Sequence, residues 1–263
     1  MIFETHAHYD DEAFEQDREE LLSGMRENGI STIVNIAADL KSCKTTLALS
    51  EKYSFIYAAL GVHPSGVEEM TEESLKWIAD LCKEHSVKKG GKVVAVGEIG
   101  LDYHWEEPRR DIQKKWFERQ LELAREVSLP LVIHSRDGAL DTCDIMKNHR
   151  AEEMGGIIHC YSYSKELARE FLNMGFCFGI GGVVTFSNAK KLKETVEYLP
   201  MENIVLETDC PYLAPVPFRG KRNSSLNLIY VAEEIGRIKR LTTEKVIEIT
   251  EQNALKLFSL EGD

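Results

Sequence analysis

Eight short runs of β-forming apolar residues are spaced along this chain, and longer amphipathic stretches alternate with them. The runs cover residues 2–8, 32–37, 55–63, 93–98, 131–135, 156–161, 176–182 and 203–209. Strands that alternate with helices pair in parallel through right-handed crossovers. Eight such units in 263 residues predict a single (β/α)8 TIM barrel. A doubly wound open sheet is the competing architecture. The intervening stretches read as helices at 11–26, 72–85, 109–127, 165–174 and 190–198. In the third of these, Ile112, Trp116, Leu121, Ala124 and Val127 recur every three to five residues with charged residues between them, and Pro130 stops the helix before the next strand. Two further helical patterns, 226–239 and 244–257, follow the eighth run and predict an extra C-terminal helix. No linker rich in Pro, Gly or Ser and no repeat interrupts the series, so one domain over 1–263 is expected.

The formal charge of -12 speaks against a protein that coats duplex DNA through a basic surface. It leaves room for a nuclease, because bound divalent cations offset carboxylates where a phosphate must enter. Cys43, Cys82, Cys143, Cys160, Cys177 and Cys210 form no C-x-x-C pair, as expected of reduced, mostly buried thiols. The N-terminus has no basic stretch followed by an apolar run, and no window reaches the length of a membrane span. A cytoplasmic protein without a membrane partner is the expectation.

Histidine placement carries the chemistry. His6, His8, His63, His134 and His159 fall at or near the C-terminal ends of predicted strands, and in a barrel those ends share one face. Glu98 and Asp209 end two more strands. His6 and His8 are two apart on a strand, so their imidazoles point the same way and can clamp one cation. Such a pair alone is more often structural. L-V-I-H134 and G-I-I-H159 repeat one pattern, three apolar residues and then a histidine, and Glu98 follows V-V-A-V-G, where an unpaired carboxylate is costly to desolvate. Four histidines and two carboxylates suit Zn, Mn, Fe or, less typically, Mg. Six ligands exceed one tetrahedral shell, so two ions sharing a bridging carboxylate, naturally Glu98, are the economical arrangement.

In these residues the chain resembles the TatD family of metal-dependent deoxyribonucleases, within the amidohydrolase-like barrel superfamily. The resemblance runs through H-A-H, G-V-H-P at 61–64, G-E-I-G-L-D-Y at 97–103, L-P-L-V-I-H-S-R at 129–136, H-C-Y-S at 159–162, L-E-T-D-C-P-Y-L at 206–213, R-G-K-R-N at 219–223 and N-A-L-K-L-F at 253–258. It implies a single hydrolase domain with two divalent ions (Mg, Mn or Zn) and 3′-to-5′ exonuclease activity on DNA. Carried over by position, His6, His8, Glu98 and Asp209 would hold one ion, and Glu98, His134 and His159 the other. Asp209 would also take the proton of the attacking water as general base. His63 and Arg136 look like phosphate or transition-state contacts. Glu4 stands where many members carry Asp, and the longer acid is expected to shift the first ion slightly. N-S-S-L stands where many read N-E-P, so an acid expected at the substrate entrance is missing.

Lesser candidates are Trp105, which could stack on a base, and the basic cluster Arg219-Gly-Lys-Arg222, which could anchor phosphates. The acidic balance favours single-stranded DNA or DNA ends over long duplex. The rival readings are an ester or amide hydrolase on the same centre, such as an aminoacyl-tRNA deacylase, and a non-catalytic binding barrel.

Overall fold

The computed structural model describes residues 1–260. Eight strands, β1 (Ile2–Ala7), β2 (Ile30–Ile36), β3 (Ile56–Leu60), β4 (Val93–Asp102), β5 (Leu131–Arg136), β6 (Gly156–Ile158), β7 (Cys177–Ile180) and β8 (Ile204–Leu206), belong to one sheet in the order β1 to β8. Between and after them lie helices α1 (Arg18–Ser23), α2 (Leu40–Lys52), α3 (Glu72–Glu84), α4 (Arg110–Val127), α5 (Ala139–Asn148), α6 (Lys165–Asn173), α7 (Lys190–Tyr198), α8 (Leu228–Lys239) and α9 (Thr243–Leu257). Each strand is followed by a helix, and α9 is the predicted extra one; the helix expected over 11–26 is instead a 3-10 turn, Glu12–Phe14, and the short α1.

The chain forms two compact units. The first comprises Met1–Asn35, Cys160–Arg169 and the chain from Cys177 onward. Within it β7 and β8 pair in parallel, β1 pairs with β2, and a parallel bridge between Ala7 and Cys210 ties β1 to the segment after β8. All six residues of β1 are buried, the expected state of a parallel strand covered on both faces. Phe3 turns outward and stacks on Phe258, just past α9, at 5.9 Å. Asn253 of α9 donates to the carbonyls of Met201 and Ile204 and fixes the entry into β8.

The second unit, Ile36–His159 and Glu170–Phe176, holds β3 to β6, all parallel. Asp39 and Thr71 cap α2 and α3 through capping boxes with Ser42 and Ser74. The ten residues of β4 are all buried, and the strand is longer than the apolar run predicts. It continues to Asp102 because Gly100 pairs with His134 and Asp102 with Arg136. Gly100 permits this approach: it has φ 145°, and a Cβ there would lie 1.9 Å from the His134 carbonyl. Glu98 therefore lies within β4, not at its end as the sequence suggests. The register shifts between Gly97 and Ile99, leaving Glu98 at a bulge, a device that re-aims a side chain beside a site.

Candidate metal centre

In the first unit, Glu4, His6 and His8 alternate along one face as β1 runs out. His6 Nε2 lies 3.2 Å from His8 Nε2, and Asp209 Oδ1 lies 3.7 Å from the former and 3.4 Å from the latter. Asp209 reaches this position from a left-handed residue (φ 58°), a conformation Asp tolerates, and its N–H donates to the His6 carbonyl at 3.0 Å. Donors bound at 2.0–2.2 Å around a tetrahedral cation lie about 3.3–3.6 Å apart. The trio has that spacing and the imidazole and carboxylate chemistry of a divalent site, so these residues fit a metal ion.

Beneath the trio, Glu4 is fully buried. Its Oε1 accepts from the N–H groups of His6 (3.1 Å) and Thr208 (2.9 Å), and its Oε2 from the hydroxyls of Thr208 (2.6 Å) and Ser225 (3.0 Å). Burial pushes this carboxyl up to about 8, with the hydrogen bonds pulling the other way. The longer acid at position 4 is engaged with the backbone and hydroxyls behind these residues. A second buried acid, Glu207, accepts from the Cys160 N–H at 2.6 Å. Gly179 makes room for it, since a Cβ there would lie 1.9 Å from Glu207 Oε2. In the sequence Glu207 is marked only by its place two residues before Asp209.

In the second unit, Glu98 is a hub for three imidazoles. Its Oε1 lies 2.6 Å from His134 Nδ1, 3.6 Å from His159 Nε2 and 3.9 Å from His63 Nε2. Asp102, absent from the sequence-based set, lies on the far side of His134, its Oδ2 3.4 Å from Nε2. Burial pulls the His134 imidazole pKa down, but hydrogen bonding to Asp102 and Glu98 outweighs this and raises it. Burial raises the Asp102 carboxyl, while His134 and the His104 N–H more than offset it and hold it below the ordinary value. The signal for Asp102 in the sequence is the D of G-L-D-Y, read there only as part of a motif.

His63 caps a 3-10 turn, Pro64–Glu69, through Nδ1, which accepts the Ser65 N–H at 3.1 Å. In the neutral ring the proton then sits on Nε2. That makes Nε2 a donor toward an anion. Two buried glutamines of α4 hold this neighbourhood. Gln120 exchanges hydrogen bonds with both backbone groups of Val62, and Gln113 does the same with Asp102 while also donating to the Pro108 carbonyl.

The structure brings His6, His8 and Asp209 together in one unit, and Glu98, His63, His134 and His159 in the other. Arg136 joins neither cluster by a direct contact: its guanidinium is exposed at the end of β5 and makes no ion pair among the described residues. In the expected basic cluster, Arg222 is engaged with Asp17 through two hydrogen bonds and with the Ala13 carbonyl, and Arg219 lies over the Phe186 ring. Among the described residues, only Lys221 of the three cations lacks a side-chain partner. Trp105 is exposed, edge-on to His104, whose Nδ1 lies 3.4 Å from Asp137. No disulfide joins any of the six cysteines, and five of them are buried. No helix of the described residues is long and apolar enough to cross a membrane.

Residues 3–259 match the family model described as TatD related DNase. The metal-dependent hydrolase YabD of Bacillus subtilis is 45% identical over 260 residues, covering 99% of this chain and all of that protein. YcfH of Escherichia coli, also described as a metal-dependent hydrolase, is 30% identical across the whole of this chain and 97% of its own length. Among solved structures, the TatD homologue YjjV of Escherichia coli superposes with a TM-score of 0.90 at 31% identity over 98% of both chains. The fold is the eight-stranded TatD barrel, and the chain belongs to the TatD-related DNase family of metal-dependent hydrolases.

Proposed function

We propose that the chain is a deoxyribonuclease of the 3′-to-5′ exonuclease type, one domain cleaving phosphodiester bonds at a two-metal site. The observation that carries this reading is the spacing of His6 Nε2, His8 Nε2 and Asp209 Oδ1, at 3.2–3.7 Å from one another, in a chain of this family. By the family resemblance, His6, His8, Glu98 and Asp209 would hold one divalent ion (Mg, Mn or Zn), and Glu98, His134 and His159 the second. Bound there, the cations would supply polarisation of the phosphoryl oxygen and a water acidified towards neutral pH.

The protein's own groups divide the remaining work. Asp209 Oδ accepts the proton of the attacking water as general base. His63 Nε2–H donates to a non-bridging phosphate oxygen, and Arg136, exposed and without an ion-pair partner, neutralises charge on the same phosphate. A net charge of -12 repels long duplex and favours single strands or ends.

Asp209→Asn keeps the shape and one oxygen donor but cannot take the proton. Metal-loaded wild type and variant are compared on labelled single- and double-stranded DNA beside model esters and an aminoacyl-tRNA. DNA cleavage falls by about 10²–10⁴-fold in the variant. Equal DNA cleavage by both, with ester or aminoacyl hydrolysis lost instead, replaces the nuclease by the ester hydrolase.

A further inference from the structure

Glu4 is two residues from one proposed ligand, His6, and its carboxylate accepts four hydrogen bonds, one of them from the backbone N–H of that ligand. Every polar contact it makes is with a donor. Thr208 Oγ1 accepts from the Cys210 N–H at 3.1 Å, so its own proton goes to Glu4. Tyr9 Oη accepts the Ser225 N–H at 2.9 Å and lies 2.8 Å from Ser225 Oγ, so the phenol proton points to Ser225 and the Ser225 proton to Glu4. One side chain thus holds three stretches of backbone: the His6 end of β1, the Thr208–Asp209 segment after β8, and the loop at Asn223–Ser225. Asn223 closes the circuit by donating to the Thr208 carbonyl at 3.2 Å.

We propose that Glu4 is a positioning residue for the first metal site, its carboxylate fixing the spacing between the His6–His8 strand end and Asp209 and tying both to the 223–225 loop. The proposal rests on the reading of His6, His8 and Asp209 as ligands. A carboxylate behind the ligands sets affinity through geometry, and removing such a partner typically weakens metal binding by about 10–100-fold. Gln at position 4 is isosteric but turns an amide NH2 toward the two hydroxyls in place of an acceptor, so their two donated bonds are lost. Asp keeps the charge one methylene short. Ser225→Ala removes a single donor and leaves the carboxylate.

The test measures Zn²⁺ and Mn²⁺ affinity and stoichiometry by chelator competition on the full chain, with thermal melting alongside. Glu4→Gln weakens the first site by about 10–100-fold, Glu4→Asp restores part of the loss, and Ser225→Ala gives a smaller loss in the same direction. In a His8→Ala background, which removes the first site, Glu4→Gln has no further effect on the remaining ion. Asn253→Ala, which loosens the entry into β8 away from the ligands, lowers the melting temperature and spares affinity. If Glu4→Gln does not fold, the Asp and Ser225→Ala variants carry the same comparison. Wild-type affinity in the Glu4 and Ser225 variants overturns the proposal alone, as does equal weakening of both sites. An unchanged ion count in His8→Ala overturns the ligand reading and the proposal with it.

Discussion

His63 shows how one backbone contact decides a side chain's chemistry. Because the Ser65 N–H occupies Nδ1, the ring presents Nε2–H toward Glu98 and toward whatever anion approaches it. That tautomer supports the proposed role of His63, with Arg136, in charge stabilisation. Replacing either with Ala is expected to lower phosphodiester hydrolysis by about 10²–10³-fold, the usual loss for one electrostatic stabiliser. Metal content, measured by elemental analysis of the purified variants, is expected to stay at the wild-type value. Loss of an ion from His63→Ala would make it a ligand after all. Arg136→Lys is expected to recover only part of the activity, because an ammonium lacks the two-pronged geometry that fits a phosphate.

The elements that carry these residues were legible in the sequence to different degrees. All eight apolar runs became strands, since a barrel strand buried on both faces has no polar positions to disguise it. The placement of the candidate ligands His6, His8, His134, His159 and Asp209 at or just past strand ends followed from the same pattern. The end of β4 did not, because the apolar run stops at Glu98, whereas in the structure Gly97 and Gly100 admit a bulge and a close backbone approach that carry the strand on to Asp102. Gln113 and Gln120 were equally opaque. Amide side chains on an amphipathic helix look solvent-facing, and only the fold shows them buried against the backbone of Val62 and Asp102. The outer helices are joined by ordinary ion pairs whose strength is testable. Glu234 of α8 lies 2.7 Å from Lys193 of α7, and hydrogen bonding to Arg237 first, then Lys193, lowers its carboxyl to about 2. A depressed acid stabilises the fold above its unfolded value, near 4.5, and the contribution fades as pH falls toward 2. Glu234→Gln is expected to lower the melting temperature at pH 7 by about 2–4 °C, the equivalent of about 1 kcal/mol for a partly exposed pair. The gap to wild type should shrink in melts at pH 4 and 3. A gap that widens on acidification would contradict the assignment.

At the scale of the whole molecule, 44 acidic residues face 32 basic ones, and the acids gathered around the imidazoles add to that imbalance locally. Glu98, Asp102 and Glu207 are buried, and Asp209 is half-buried. In a medium of lower dielectric than water, each such buried charge costs folding free energy to desolvate. Divalent cations held by the proposed ligands would offset that cost, because a ligand that binds the folded chain alone raises its stability by mass action. At about 100 times the dissociation constant the gain is roughly 2.7 kcal/mol per site, and a chain of this size shifts by about 2–4 °C per kcal/mol. Stripping the ions with a chelator is therefore expected to lower the melting temperature by about 5–10 °C per site lost. Adding back Zn²⁺ or Mn²⁺ in excess should restore it. His8→Ala should lose only part of this metal-dependent increment, and a variant lacking both His8 and His134 nearly all of it. A melting temperature indifferent to chelator and to added cation in the wild type would mean that the clustered acids are held by the protein alone, and the two-metal reading would fall with that result.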